Sequence, residues 1–249
     1  MNKISKFKID KWLLICLILF ALISIFNVYS AQNLLPSYMN YLTIKQALWY
    51  IIGFGVMFLI ISLGNNYIIK NAWILYIIGI ISLILLLIFG TPINDAKCWF
   101  NIPGIGSVQP SEFMKIILII ILARVIDDFN KEHSSPTVMN EFLFLIKVGI
   151  IVLIPSILTF LQPDTGVVLI YLLITIVMLF ISGIRYRWFI VLIGILLLSV
   201  GSVLIIYFLN QNLFVKIFGT SFFLRVDRLL DWSNKSGYQL ENGLTAIGS

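Results

Sequence analysis

Runs of nearly twenty apolar residues recur along this chain, and they limit its fold more than any other feature. A helix of about twenty residues, rising about 1.5 Å per residue, crosses about 30 Å of hydrocarbon. The composition agrees, since 60% of the 249 residues are hydrophobic and 11% are charged, with a mean hydropathy of +1.04. A soluble domain needs roughly 25% charged residues. The sequence therefore predicts an all-α integral membrane protein, a polytopic helical bundle.

We predict about seven spans within a single transmembrane domain that covers residues 1–249. Their approximate bounds are 12–29, 47–63, 72–89, 111–126, 142–161, 165–184 and 188–209, followed by an outer loop over 210–249. The first apolar run follows several lysines, so a cleavable signal peptide is the alternative to a retained span. Its long apolar core and the spans that follow at once favour the retained span.

Lysine and arginine predict the orientation. They lie on one side of the membrane if the N-terminus is cytoplasmic, as the positive-inside rule requires: Lys3, Lys6, Lys8, Lys11, Lys70, Arg124, Lys131, Arg185 and Arg187. The net charge of +6 is therefore mostly at the inner face. No compact soluble domain is predicted that could carry a basic patch, so nucleic acid is excluded as a partner. The loop around Lys45, segment 97–110, turn 162–164 and the residues after 209 fall on the outer face.

Segment 97–115, KCWFNIPGIGSVQPSEFMK, is a polar interruption between two apolar runs. Such a segment must lie outside the hydrocarbon or line a cavity within it. Gly104 and Gly106 predict a tight turn, and Glu112 in the first turn of the fourth span can pair with Lys115. Side chains that can cap this span are Ser111, or Gln109 with Pro110. The alternatives are a capped helix start with Trp99 and Phe100 at the membrane interface, or one wall of a site.

Two further groups of polar residues fall on the outer face. In the turn Gln162-Pro163-Asp164-Thr165-Gly166, Asp164 can cap the sixth span. If residues 222–232 are helical, Arg225 and Arg228 share a face and suit a diphosphate, with Asp227 and Asp231 on a neighbouring face. The alternative is an interfacial amphipathic helix with ion pairs.

The remaining chemistry-bearing residues are few. Cys16 and Cys98 are predicted most of a membrane apart, so no disulfide is expected between them. No cysteine or histidine cluster indicates a metal site, and His133 is a lone histidine in a charged inner loop. Lys147 lies about five residues inside the fifth span and either snorkels to the inner surface or faces the bundle interior.

Four motifs in this order resemble the SEDS family, the RodA/FtsW/SpoVE proteins of bacterial wall growth, division and sporulation. Residues 96–100 (AKCWF) and 109–115 (QPSEFMK) are similar to the family's basic-Trp segment and QPSE-F-x-K signature. Residues 162–166 (QPDTG) are similar to its QPD-x-G turn. Arg228 and Trp232, then GYQ at 237–239 and AIGS at 246–249, are similar to its R…W/F…GYQ…AIGSG stretch.

The resemblance implies a multi-pass protein of the bacterial cytoplasmic membrane that polymerises lipid II together with a class B penicillin-binding protein. A carboxylate would take the proton of the attacking hydroxyl, with Asp231 the candidate and Asp227 the alternative. Cations would hold the diphosphate: Arg225, Arg228, Lys97 and Lys115. Residues that would support the cavity are Trp99, Gln109, Pro110, Ser111, Glu112, Gln162, Asp164, Gly166, Tyr238 and Gln239. No cofactor is required, although a divalent cation could assist.

Two departures from the family pattern keep other functions open. Family members usually have ten spans, so the C-terminal spans are expected to be missing from this chain. The family's catalytic aspartate precedes GYQ in a longer stretch, whereas Asn234 occupies the first acidic-or-amide position here and Asp231 is the nearest carboxylate. A non-catalytic scaffold of the wall-synthesis machinery and a flippase for the lipid-linked precursor are the alternatives. The motifs do not distinguish elongation from division or sporulation.

Overall fold

The computed structural model describes residues 10–32, 41–90, 97–102, 106–133, 135–220, 222–223, 226 and 238–248. Ten helices have defined bounds within these residues: α1 (Lys11–Gln32), α2 (Leu42–Leu63), α3 (Asn65–Lys70), α4 (Ala72–Phe89), α5 (Pro110–Glu132), α6 (Val138–Leu161), α7 (Thr165–Ile181), α8 (Arg187–Leu209), α9 (Gln211–Phe218) and α10 (Tyr238–Gly248). A two-stranded antiparallel hairpin, β1 (Phe100–Ile102) and β2 (Gly106–Val108), lies between α4 and α5. The chain divides into two compact units, Met1–Met178 and Leu179–Ser249.

Each of the seven predicted spans overlaps a helix, although helix ends differ from the predicted bounds by up to six residues, as at the end of α5. The predicted fold class, an all-α polytopic membrane protein, is confirmed. Five helices are long and apolar enough to cross a membrane: α1, α2, α4, α6 and α8. The apolar helix α7 has 17 residues and is shorter than a typical span. Helix α5 has 23 residues, but it carries charged residues in both its first and its last turns.

Helices α4, α5 and α6 form the core of the first unit. Its fully buried side chains include Leu83, Leu86, Met114, Leu118 and Ile121. Helices α4 and α5 approach closely at Gly79, where an added Cβ would lie 2.7 Å from the sulfur of Met114. Small residues permit such contacts in membranes, where packing rather than water exclusion drives helix association. Gly79 therefore sets the α4–α5 separation.

Proline at position 155 explains a polar contact in the middle of this core. Pro155 lies inside α6 and has no backbone N–H, so the carbonyl of Ile151 loses its usual helical donor. The hydroxyl of Tyr76 on α4 donates to that carbonyl at 2.8 Å. A carbonyl left unpaired away from water is costly, so this bond compensates for the break in α6 and links it to α4.

Polar side chains also link α1 to α2. The amide of Gln46 donates to the Ser24 hydroxyl at 2.9 Å, and the backbone N–H of Thr43 donates to Oε1 of Gln32 at 3.0 Å. The second bond supplies an acceptor to one of the N–H groups that the first turn of α2 leaves without a helical partner.

The opposite end of the first unit carries the charged residues of the predicted inner face. On α5, Arg124 pairs with Asp128 at 2.8 Å and Lys131 pairs with Asp127 at 2.6 Å, both with substantial exposure. Lys147 is exposed, which agrees with the snorkelling interpretation rather than a place in the bundle interior. Within the described residues, Glu141 in the first turn of α6 is the one buried carboxylate.

The second unit contains α8, α9 and α10. Asn210 caps α9, since its side-chain oxygen accepts from the backbone N–H of Leu213 at 2.9 Å. Phe214 of α9 is fully buried against aromatic rings, among them Tyr207 and Phe223, with centroid distances of 5.5 and 6.1 Å. Aromatic packing therefore holds α9 against the end of α8.

Candidate functional site

The polar interruption forms a hairpin that the sequence patterns did not predict. Its register pairs Phe100 with Val108, Asn101 with Ser107 and Ile102 with Gly106. Gly104 of the predicted turn lies outside the described residues. Gly106 has φ +134°, a backbone conformation that residues with a side chain rarely adopt. The hairpin therefore depends on glycine at position 106.

Gln109 connects the start of α5 to the turn between α6 and α7. Its side-chain amide donates to Oδ2 of Asp164 at 2.6 Å, while Oδ1 of Asp164 accepts from the backbone N–H of Val167 at 3.2 Å. The predicted cap of α7 by Asp164 is thus confirmed. One carboxylate both caps α7 and holds the segment before α5.

The predicted side-chain cap of α5 is wrong. Gln109 occupies the N-cap position and Pro110 the first helical position, but no side-chain cap bond forms. The amide of Gln109 bonds to Asp164 instead. Ser111 is fully buried inside the helix, and its hydroxyl oxygen has no hydrogen-bond partner among the described residues. The –NH2 group of Gln109 donates to the distant carboxylate, and its side-chain oxygen makes no cap bond to the first turn of α5.

Gln162 joins three parts of the first unit. Its side-chain amide donates to the carbonyl of Leu83 in α4 at 3.0 Å, and its own backbone carbonyl accepts from the thiol of Cys98 at 2.8 Å. Gln162 is fully buried and Cys98 is nearly so. Burial, and secondarily the Asp164 carboxylate, raises the pKa of the Cys98 thiol to about 11, so it remains a donor at neutral pH. The 162–166 turn therefore does more than reverse the chain direction, since it connects α4 with the segment before the hairpin.

A buried tyrosine connects α7 to the start of α5. The hydroxyl of Tyr171 donates to the backbone carbonyl of Ser111 at 2.9 Å and accepts from the Thr159 hydroxyl at 3.5 Å. All three residues are fully buried. Buried polar groups at membrane level are costly unless they are paired, so this set fixes the ends of α5, α6 and α7 relative to one another.

Two of the predicted cations, Lys97 and Lys115, lie next to the hairpin and in the first turns of α5, respectively. Lys115 pairs with Glu112 at 2.7 Å, as predicted, with Glu112 about half exposed. Lys97 is exposed and has no ion-pair partner among the described residues. Trp99 is 37% exposed beside buried Cys98. Pro110 is buried and Gly166 is exposed in the first turn of α7.

The predicted catalytic and diphosphate-binding residues of the outer loop lie outside the described residues: Asp227, Asp231, Arg225 and Arg228. Tyr238 and Gln239 are the first two residues of α10, within the second unit. Among the described residues, no three His, Cys, Asp or Glu side chains gather as a metal site would require. The described part of the candidate site is therefore the hairpin and its contacts.

The sequence analysis did not single out several residues that make the hydrogen bonds described above. The sequence patterns assign no role to Cys98, and Thr159 and Tyr171 fall within predicted apolar spans. The available signal was that each is a polar group in or next to a membrane span, where unpaired groups are unfavourable. Cysteine gives a weak signal because it behaves as a small apolar residue in most cores.

The chain matches the family model described as cell cycle protein, FtsW/RodA/SpoVE, over residues 10–249. It is 33% identical to a protein named probable peptidoglycan glycosyltransferase FtsW from Wigglesworthia glossinidia brevipalpis, over 99% of this chain and 62% of that protein. It is 30% identical to a protein with the same name from Buchnera aphidicola, over 84% of this chain and 51% of that protein. The chain thus spans about half to three fifths of the length of these curated relatives.

Two solved structures share the fold. The crystal structure of Thermus thermophilus rod shape determining protein RodA aligns with a TM-score of 0.62 and 26% identity, covering 79% of this chain and 60% of that one. A peptidoglycan synthase complex contains a chain with a TM-score of 0.67 and 21% identity, covering 97% of this chain and 64% of that one. This chain is a multi-pass membrane protein that belongs to the FtsW/RodA/SpoVE family of cell cycle proteins.

Proposed function

We propose that this protein is a peptidoglycan glycosyltransferase that polymerises lipid II on the outer face of the cytoplasmic membrane. The observation that carries the proposal is the family match over residues 10–249, which includes all four motif stretches. The two curated relatives described above are named for this activity. This chain spans only part of their length, so the activity of the chain itself is what must be measured.

The chemistry assigned to the outer loop follows from the reaction. The 4-hydroxyl oxygen of one sugar forms a bond to the anomeric carbon of another, and the bond from that carbon to the diphosphate oxygen breaks. We assign the proton of the hydroxyl to Asp231, or to Asp227 as the alternative. The leaving undecaprenyl diphosphate takes the bonding electrons, and Arg225 and Arg228 stabilise its charge through bidentate hydrogen bonds.

The contacts of the described residues favour a role for the hairpin as a fixed structural part of the site. Bonds from Cys98 to Gln162 and from Gln109 to Asp164 hold both ends of the hairpin segment against the α6–α7 turn. Lys97 is left exposed at one end, free of ion pairs within the described residues. A fixed segment with an exposed ammonium suits a diphosphate carried at the membrane surface, since pre-positioned charge needs no reorganisation when the substrate binds.

The proposed macromolecular partner is a class B penicillin-binding protein, which would cross-link the glycan product. A chain of similar fold was solved in a peptidoglycan synthase complex that coordinates polymerization and crosslinking. Membrane lipids surround the apolar helices, and a divalent cation could assist the diphosphate without a dedicated ligand cluster in the described residues.

The test is polymerisation by the purified chain in vesicles, with lipid II as substrate and the partner present or absent. We expect glycan strands from the parent chain, and a loss of about 10²–10⁴-fold in rate for Asp231→Asn. The matched control is Asp127→Asn, which removes a carboxylate near the end of α5 that is remote from the hairpin. This substitution should leave the polymerisation rate unchanged.

Parent-level polymerisation by Asp231→Asn would remove Asp231 from the mechanism and direct attention to Asp227. Absence of strands with the parent chain, although it binds the partner, would favour the scaffold. Movement of fluorescent lipid II across protein-containing vesicles without strand formation would favour the flippase.

A further inference from the structure

The side chain of Lys45 on α2 fills the notch that Gly106 leaves in the hairpin. The point where a Cβ of Gly106 would lie is 2.8 Å from Cε and 3.0 Å from Nζ of Lys45. The indole nitrogen of Trp49, one turn further along α2, lies 3.5 Å from the same point. Lys45 and Trp49 are both half-buried, so α2 packs directly on the backbone of β2.

This contact lies at the end of the hairpin next to its connecting turn. Gly106 pairs with Ile102, and this is the pair of the register nearest that turn. The bonds to the α6–α7 turn come instead from Cys98 and Gln109, which flank the other end of the two strands. The hairpin is therefore held at one end by the α6–α7 turn and contacted at the other end by α2. A two-stranded hairpin is marginal by itself, so its position depends on such outside contacts.

The fit at Gly106 is made by carbon as well as by nitrogen. Cε of Lys45 lies closer to the Cβ position than Nζ does. The methylene stem of a lysine packs on protein surface while its ammonium group stays hydrated, so loss of a lysine can remove packing as well as charge. A methionine side chain reaches as far as Cε without a charge. Substitution at position 45 can therefore separate packing from charge.

We propose that Lys45 is a positioning residue for the outer site and acts through the hairpin. Its stem holds β2 at Gly106, and the pairing of β2 with β1 holds the strand that directly follows Lys97 and Trp99. This inference rests on the proposed function, because it takes the hairpin as part of the site for lipid II. A hairpin fixed in advance has less freedom to lose when the substrate binds, so this contact strengthens binding without touching the substrate.

The first readout is hydrogen exchange of the backbone N–H groups of residues 100–108, measured by mass spectrometry on the intact chain. Lys45→Ala empties the notch, and exchange there should become about tenfold faster through local opening of the hairpin. Lys45→Met keeps the packing and should stay within about twofold of the parent. The matched control is Lys70→Ala, at the end of α3, with unchanged exchange. Peptides of α4 and α5 are the internal reference, since a general loss of fold would raise their exchange as well.

The second readout is the affinity of the same variants for lipid II, measured by native mass spectrometry. Lys45→Ala should weaken binding about threefold or more, because the hairpin must then be ordered when the substrate binds. Lys45→Met should bind as the parent does. A lysine that held the diphosphate directly would give the opposite order, with binding kept in Lys45→Arg and lost in Lys45→Met.

Parent-level exchange in Lys45→Ala would show that the hairpin does not depend on this contact and would overturn the proposal. Faster exchange with parent-level binding of lipid II would leave a packing contact without a positioning role. Loss of binding in Lys45→Met but not in Lys45→Arg would overturn it in favour of a direct charge role. A parent chain that binds lipid II without polymerising it contradicts the proposed function alone, whereas a parent that does not bind lipid II contradicts both.

Discussion

Asp164→Ala should open the hairpin segment, because this one carboxylate makes two bonds. Loss of the bond to the Val167 N–H removes a helix cap, worth about 0.5–2 kcal/mol. Loss of the bond from Gln109 removes a hydrogen bond to a charged group, worth about 1.5–3 kcal/mol. Asp164 and Gln109 are both half-buried, so we take the lower end of the summed free energies, about 2 kcal/mol. That free energy corresponds to about a 30-fold larger open population.

Cys98 reports this opening directly. Its thiol is buried and bonded to the Gln162 carbonyl, and the chain has one other cysteine, Cys16, which is exposed. In a Cys16→Ser background, the rate of reaction with a membrane-impermeant maleimide follows the population in which Cys98 is released. We expect this rate to rise about 30-fold in Asp164→Ala and by a smaller factor in Asp164→Asn, which keeps one oxygen acceptor.

The matched control is Asp127→Ala, which removes an exposed carboxylate paired with Lys131 at the opposite end of α5. Exposed pairs contribute about 0–1 kcal/mol, and this one is remote from the hairpin, so the Cys98 rate should not change. A Cys98 rate in Asp164→Ala within twofold of the parent would show that Asp164 does not hold the segment.

Three further predictions concern the core of the first unit and the thiol. Tyr76→Phe leaves the Ile151 carbonyl unpaired and should lower the free energy of unfolding in bicelles by about 1–3 kcal/mol, with a smaller loss in a Pro155→Ala background that restores the helical N–H. Gly79→Leu should separate α4 from α5 and lower the free energy of unfolding by about 1–3 kcal/mol, because even a Cβ there would lie only 2.7 Å from the sulfur of Met114. Because the pKa of Cys98 is raised in the fold, the folded state favours the protonated thiol. The contribution of this thiol to stability should be complete below about pH 8.5 and should be lost as the pH rises towards 11. Comparing the Tm of the parent with that of Cys98→Ser across this pH range isolates the effect.

The membrane helices could be predicted closely because their signal is local. The fourth helix begins and ends at Ala72 and Phe89, as the apolar run predicts, and α8 differs from its predicted span by one residue. The pair Glu112–Lys115 was also accessible, since residues three apart on a helix are neighbours whatever surrounds them. The cap of α7 by Asp164 belongs to the same class of short-range contact.

The contacts that organise the candidate site could not be predicted in this way. The pairs Cys98 with Gln162 and Tyr171 with Ser111 join residues 64 and 60 positions apart. The failed cap prediction at Gln109 has the same origin, since the carboxylate to which its side chain donates lies 55 residues away. No spacing rule of a single helix or strand reaches across such distances.

The sequence by itself determined that the chain crosses a membrane, where its helices lie and which family it resembles. A bilayer requires each spanning segment to satisfy its own backbone, so the length and apolarity of a segment decide its structure. Only the tertiary structure decided which polar groups meet: that Tyr76 compensates for Pro155, that Asp164 holds Gln109, and that Lys45 faces Gly106. Those pairings depend on how the helices pack, because a polar group inside a membrane protein bonds to whichever partner the neighbouring helix brings within reach.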